Sequence, residues 1–228
     1  MQLVLFDLDG TLLDTAPDLG AALNQQRAEY NMPPLSHELI RPVVSQGSSA
    51  LLKLGFGIAP NDSRYAGMRA SLLDIYSSCL SRETRLFPGM EPVLKKLERR
   101  GLRWGVVTNK PAALTEPLLQ AFNLHQRATC IVSGDTTSRR KPHPDQLLHA
   151  CTLTGCRPAD SVYLGDAQGD VQAAHAAGMR ALVALYGYID ATERPADWQA
   201  DGLLEKPADL LAWLDACTRA IVLQEIGS

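Results

Sequence analysis

Leu3-Val4-Leu5-Phe6-Asp7-Leu8-Asp9-Gly10-Thr11 decides how this chain is read. The four apolar residues form the short continuous run of a strand buried on both faces. Side chains alternate along a strand, so Asp7 and Asp9 point to one side of its carboxyl end. Two carboxylates held that close repel, and they coexist only with a cation or a shared proton. Gly10 permits the sharp turn that exposes the pair. In open α/β sheets the carboxyl ends of the strands are where ligands bind. Acid-rich loops followed by glycine also hold calcium, and many strand ends carry a solvated aspartate. The five residues from Asp7 to Thr11 are therefore suggestive rather than decisive, and the rest of the chain gives them weight.

From about residue 17 to residue 85 the apolar residues recur at helical spacing. The groups are Leu19, Ala22 and Leu23, then Leu39, Ile40 and Val43, then Leu51, Leu52 and Leu54, then Met68, Leu72, Leu73, Ile75 and Tyr76. Ser36 is placed to cap a helix before Glu38. No strand pattern interrupts this block, which predicts an all-helical unit.

After Phe87-Pro88-Gly89, strands and helices alternate. Met90, Val93, Leu94 and Leu97 mark a helix that ends at Gly101. A buried strand spans Arg103 to Thr108, and a helix with Pro117 inside it spans 112–122. Thr129 to Val132 reads as the third strand. Pro144 is placed as the first residue of a helix that carries Leu147, Leu148 and Cys151 and stops before Gly155. Val162 to Leu164 is the fourth strand. A helix from Asp170 to Ala177 closes at Gly178, and Ala181 to Leu185 is the fifth strand. Leu203-Leu204 forms a sixth, and Leu210, Leu211 and Leu214 mark the last helix. Such alternation implies βαβ units and a parallel sheet. The predicted fold is α/β, a Rossmann-like parallel sheet core with a helical cap inserted after the first strand. Residues 1–16 and 86–228 form the core, and 17–85 form the cap.

The chain has 228 residues, 46% of them hydrophobic and 21% charged, with a net charge of −3. That composition is ordinary for a soluble globular protein. It gives no support to nucleic-acid binding, because Arg99-Arg100 and Arg139-Arg140-Lys141 are short and isolated. No apolar stretch approaches membrane-spanning length, and no signal-peptide pattern precedes the first strand. A cytoplasmic setting is expected, with no membrane or nucleic-acid partner. The five cysteines show no Cys-x-x-Cys pair and read as free thiols. The five histidines show no ligand spacing. Oligomeric state leaves no mark in the sequence.

Four polar groups follow four strands: Asp7 and Asp9, then Thr108-Asn109-Lys110, then Lys141, then Gly165-Asp166 through Asp170. A parallel sheet brings all these ends to one edge. Together they hold enough acid for a hard divalent cation, a hydroxyl donor and a compact ammonium. Carboxylate attack on phosphate sets anion against anion, so a metal and an ammonium are needed to neutralise the approach. Asp9 is placed to protonate a leaving oxygen and then deprotonate water. Taken singly, each group has a plainer reading. Thr108-Asn109 could be a strand-to-helix turn, Lys141-Pro142 a solvated loop, and Asp170 a helix cap.

This order of motifs resembles the haloacid dehalogenase superfamily, along essentially the whole chain and including its helical cap. The resemblance implies that Asp7 is the nucleophile that becomes an aspartyl phosphate, and that Asp9 is the general acid and base. Thr108 and Lys141 would steady the phosphoryl group. The implied cofactor is Mg²⁺, held by Asp7, the Asp9 carbonyl and Asp166, with Asp170 in support through water or Lys141. Asp9 argues against dehalogenation, since that branch lacks an acid there. Ala167-Gln168-Gly169 departs from the Ser, Thr, Asp or Arg that relatives often carry in this loop.

Within the superfamily the chain looks similar to the phosphoglycolate phosphatase-like group. Trp104 to Pro111, Tyr186 to Ile189, and Asp197-Trp198 with Ala200-Asp201 are similar to enzymes that hydrolyse N-acetylmuramic acid 6-phosphate in bacterial cell-wall recycling. The expected partner is thus a small phosphate ester, with that sugar phosphate ahead of phosphoglycolate. A sugar-phosphate mutase and a non-enzymatic phospho-receiver are the other readings. Arg41 is the candidate for binding a substrate carboxylate, or else an exposed helix-end residue, and Asn109 is a second substrate candidate. Tyr186, Tyr188 and Trp198 either flank a sugar or pack at the sheet's rim.

Overall fold

The computed structural model describes residues 1–226, and for 220–226 only the backbone course of the last helix. Its centre is β1 (Leu3–Phe6), whose four side chains are fully buried. Burial is worth roughly 1.5–3 kcal/mol for each such side chain. The strand alternation divides them between two cores. Val4 and Phe6 join one apolar cluster, and Leu3 and Leu5 join another on the opposite face.

Strand β1 is joined by β4 (Arg103–Val107), β5 (Ile131–Val132), β6 (Ser161–Gly165), β7 (Arg180–Ala184) and β8 (Gly202–Leu204). The six strands form a parallel sheet in the order β5-β4-β1-β6-β7-β8. From β1 the chain builds outward through β4 and β5, then returns to β6 and continues the other way. The order reverses at β1, so Asp7 stands at the switch point where open α/β sheets bind ligands. Helices α5 (Met90–Arg99), α6 (Ala112–Ala121) and α9 (Asp209–Ile226) supply the first cluster with Leu94, Leu118 and Leu210. Helices α7 (Asp145–Thr154) and α8 (Gln168–Ala176) supply the second with Leu147 and Val171. The core is therefore three layers, as the alternation implied.

Between β1 and β4 lie α1 (Ala16–Glu29), α2 (His37–Ile40), a 3₁₀ turn over Arg41–Gln46, α3 (Gly47–Phe56) and α4 (Tyr65–Ser78). Two short antiparallel strands, β2 (Leu13–Asp14) and β3 (Arg85–Leu86), flank this helical block and pair with each other. Two residues are too few to show a strand period, so neither strand has a local signature. The buried Asp18 closes the same junction. It accepts hydrogen bonds from Glu83 N at 2.9 Å, Thr84 N at 3.0 Å and Thr84 Oγ1 at 2.7 Å. The first apolar cluster runs on into the block through Leu23, Leu51, Leu72 and Tyr76.

Several local expectations need correction. The third strand pairs regularly only at Ile131–Val132, although Thr129 N still donates to Trp104 O at 2.7 Å. Pro144 occupies the cap position rather than the first helical one. Ser36 also sits at a cap position, but its side chain makes no capping bond there. Helix α8 begins at Gln168, so Asp170 lies inside its first turn and not before it. Among the described residues no helix is long and apolar enough to cross a membrane.

Candidate active site

The chain turns abruptly after β1. Leu8 O accepts hydrogen bonds from Leu12 N at 3.1 Å and Leu13 N at 2.9 Å, and Gly10 takes a φ of +82°. A side chain at Gly10 would be strained by that φ and would collide with the Asp166 carboxylate. The turn therefore brings the first strand end directly against the fourth.

Lys141 joins three of the predicted groups. Its side chain is 4% exposed, and its ammonium lies 2.9 Å from Asp7 Oδ1 and 2.7 Å from Asp170 Oδ1. It also donates to the Tyr163 hydroxyl at 2.6 Å, and that hydroxyl donates to Val107 O at 2.8 Å. Burial alone would strip the Lys141 proton, but Asp170 and Asp7 outweigh it and hold the ammonium above the usual lysine range. The solvated-loop reading of Lys141 is thus excluded. Asp170 Oδ2 reaches back to accept from Asp166 N at 3.1 Å and Ala167 N at 3.0 Å. It closes the first turn of α8 while its other oxygen meets Lys141.

Asp166 completes the cluster. Its Oδ2 accepts from Ser45 Oγ at 2.5 Å and from Tyr188 N at 2.8 Å. Its Oδ1 is buried with no hydrogen-bond partner among the described residues. Oxygens of Asp7, Asp166 and Asp170 lie within 4.8 Å of one another. One ammonium does not balance three buried carboxylates. Burial, with Asp170 and Asp9 adding repulsion against the pull of Lys141, pushes Asp7 up to about 7. Burial and the charges of Asp7 and Asp170 drive Asp166 well above the carboxylate range. The all-oxygen donor set and the orphaned Asp166 Oδ1 fit a hard divalent cation.

Asp9 faces a different partner. Its Oδ1 accepts from Lys110 Nζ at 2.8 Å and Thr15 Oγ1 at 2.6 Å. The Lys110 side chain is 6% exposed, and its ammonium lies 4.6 Å from the ring centre of Tyr76 on α4. The sequence assigns no role to Lys110; a lysine two residues beyond the strand-end threonine is the only signal. Thr108 is buried, and its Oγ1 accepts from Lys110 N at 3.1 Å. Asn109 is exposed, and its Nδ2 donates to Lys141 O at 3.1 Å. Gln146, also unsuspected, ties these ends together. Its Nε2 donates to Thr108 O at 2.8 Å and Ser133 O at 3.0 Å, and its Oε1 accepts from Lys141 N at 3.0 Å.

A cleft of about 690 Å³ opens over these groups. Asp7, Asp9, Thr108, Asn109, Lys141 and Asp170 line its sheet side, and Ser45 to Ser49, Arg69 and Tyr76 line its helical side. Arg41 is not among the lining residues. Its Nη1 lies 2.7 and 2.9 Å from the two oxygens of Asp14, and its guanidinium sits 4.7 Å from the Tyr188 ring centre. The expected carboxylate reader is already bound to a carboxylate of the protein. Tyr186, Tyr188 and Trp198 pack into the structure instead of flanking the cleft. The Tyr188 hydroxyl donates to Asp14 Oδ1 at 2.7 Å, and Tyr186 donates to Thr11 O at 3.2 Å.

Residues 4–184 match the sequence profile of a family described as haloacid dehalogenase-like hydrolase. The chain is 42% identical over 207 residues to a phosphoglycolate phosphatase of Xanthomonas campestris, covering 91% of this chain and 93% of the relative. It is 37% identical over 215 residues to an N-acetylmuramic acid 6-phosphate phosphatase of Pseudomonas aeruginosa, covering 94% and 95%. A crystal structure described as a predicted phosphoglycolate phosphatase from Haemophilus somnus superposes with a TM-score of 0.83 at 28% identity, covering 94% of this chain and 98% of that one.

Proposed function

The chain belongs to the haloacid dehalogenase-like hydrolases, and on that premise we propose that it is a Mg²⁺-dependent phosphatase working through an aspartyl phosphate at Asp7. The observation that carries this reading is the buried cluster of Asp7, Asp166 and Asp170 around one ammonium, with Asp166 Oδ1 left without a partner. Asp7, the Asp9 carbonyl and Asp166 would hold the cation, with Asp170 fixing Lys141 and the Asp166 backbone. When bound, Mg²⁺ would neutralise the carboxylates and withdraw charge from the phosphoryl oxygens.

The residues then divide the work. The Leu8 amide, 2.8 Å from Asp7 Oδ1, and the Lys141 ammonium fix the orientation of the Asp7 carboxylate. Its oxygen attacks phosphorus, and the phosphorus–oxygen bond to the leaving group breaks. Asp9 gives its proton to that oxygen, then takes one from the water that attacks the aspartyl phosphate. Inorganic phosphate leaves and Asp7 is regenerated. Thr108 and Lys141 offer donors to the phosphoryl oxygens. Residues 17–85 act as the cap that covers the site and excludes water.

N-acetylmuramic acid 6-phosphate is the substrate we favour over phosphoglycolate. Supporting it are the Pseudomonas relative and a cleft of about 690 Å³, within the range that takes a whole sugar. The Xanthomonas relative favours the two-carbon ester. A cytoplasmic setting suits the five unpaired cysteines. The test is phosphate release with Mg²⁺ from N-acetylmuramic acid 6-phosphate, N-acetylglucosamine 6-phosphate, phosphoglycolate and glucose 6-phosphate. Preference for the muramic compound over its glucosamine analogue supports the reading. Faster turnover of phosphoglycolate replaces it, and an isomeric phosphate among the products would mean a mutase.

A further inference from the structure

The sheet side of the cleft meets the phosphoryl group, which every phosphate ester shares. Beyond the phosphoryl group, an ester meets the exposed Arg140 beside Lys141 and the opposite wall of the cleft. That wall is formed by Leu19, the 3₁₀ turn and α3 start, and α4. Its lining holds hydroxyls, the Gln46 amide and apolar side chains, and Arg69 is its single charged residue among the described residues. Arg69 Nε donates to Ser48 Oγ at 3.0 Å, which fixes the plane of the guanidinium. Its two terminal nitrogens have no hydrogen bond and no ion pair among the described residues. A half-buried guanidinium held at one edge and open at the other presents a fork that matches a carboxylate.

Position along α4 adds a distance. Arg69, Leu72, Leu73 and Tyr76 all line the cleft, and their spacing is that of one helix stripe. Tyr76 lies over Lys110, which holds Asp9, so this end of the stripe is the catalytic end. Arg69 is two turns back, about 10 Å along the helix axis. The carboxyl of phosphoglycolate is one carbon from the ester oxygen, only ~4 Å from phosphorus, and does not span that gap. A carboxylate carried on the far side of a sugar ring from the phosphate does.

We propose that Arg69, oriented by Ser48, is the specificity residue that binds the substrate's carboxylate across a sugar ring. The proposal rests on the phosphatase reading above and narrows its substrate class. In the bound state one ion pair forms between the guanidinium and the carboxylate, and no proton moves. Arg41 takes no part in it.

The test compares kcat/KM for N-acetylmuramic acid 6-phosphate and N-acetylglucosamine 6-phosphate, with Mg²⁺, in the wild type, Arg69→Ala and Arg69→Lys. In Arg69→Ala the muramic ester should lose about 10- to 100-fold, mostly through KM, and the glucosamine ester far less. Arg69→Lys should recover part of the loss, because it keeps the charge without the fork. Ser48→Ala should weaken the preference in the same direction by less. A wild type that prefers the muramic ester while Arg69→Ala prefers it equally overturns this inference and leaves the phosphatase reading standing. Equal loss on both esters also overturns it, since the residue would then serve folding or closure. A wild type that treats the two esters alike overturns the substrate reading and this inference together.

Discussion

On the sheet side of the cleft, each ammonium is paired within the protein: Lys141 with Asp7 and Asp170, and Lys110 with Asp9. On the helical side Arg69 has one serine and, among the described residues, no acid. The first arrangement holds its groups in place before any substrate arrives, which is what attack at a fixed phosphorus requires. The second leaves a charge unspent, free to respond to whatever the ester carries beyond its phosphate. The paired ammoniums and the Arg69 guanidinium thus lie on opposite walls, on segments far apart in the chain.

Removing the nucleophile should break the sheet side most completely. Asp7→Asn should lower kcat by at least about four orders of magnitude, read as phosphate release with Mg²⁺. The variant should keep its fold, because it removes a carboxylate that burial already disfavours. Persistent metal-dependent hydrolysis in the pure variant would contradict the mechanism.

Lys141→Met should come next. It leaves Asp7 and Asp170 buried without their ammonium, a change that costs about 3–5 kcal/mol in comparable buried pairs. Denaturant unfolding should show the loss, and phosphate release should fall with it. Added Mg²⁺ should restore stability more than activity.

A pH series sharpens the charge imbalance. Asp7 sits up at about 7 when folded and metal-free, against 3.8 in the unfolded chain. Between those values the folded state holds the extra proton, so this group's contribution to stability falls as pH rises through that window. A divalent cation needs the deprotonated carboxylates. The rise in Tm on adding Mg²⁺ should therefore be larger near about pH 8 than near about pH 5.5, by thermal melts in matched buffers. An equal rise at both would contradict the raised Asp7.

The smallest effect is expected outside the cleft. Arg41→Ala breaks a half-exposed pair with Asp14, worth about 1 kcal/mol or less. It should leave the preference between the muramic and glucosamine esters unchanged. A collapse of that preference in Arg41→Ala would move the selecting charge away from Arg69.

The contrast between walls follows what a sequence can show. Strand–helix alternation and the acidic pair after Phe6 are local, and the parallel sheet brings their counterparts at Thr108, Lys141 and Asp166 to one edge by topology. The helical wall depends on pairings with no local mark. Arg41 and Arg69 look alike in sequence, and only the fold puts Asp14 against one and the cleft against the other. Ser45 meets Asp166 across 121 positions, and Lys110 meets Asp9 across 101. Gln146 reads as an ordinary residue in the first turn of a helix until its amide is seen bridging three backbone groups.

The most direct test of the account is to trap the phosphorylated Asp7. In Asp9→Asn the step that activates water is slowed, and an aryl phosphate needs no proton for its leaving group. Radiolabelled aryl phosphate with Mg²⁺, quenched in acid, should leave base-labile label on the peptide that contains Asp7, and none on Asp7→Asn. Turnover without that label in Asp9→Asn, or label on another residue, would contradict it.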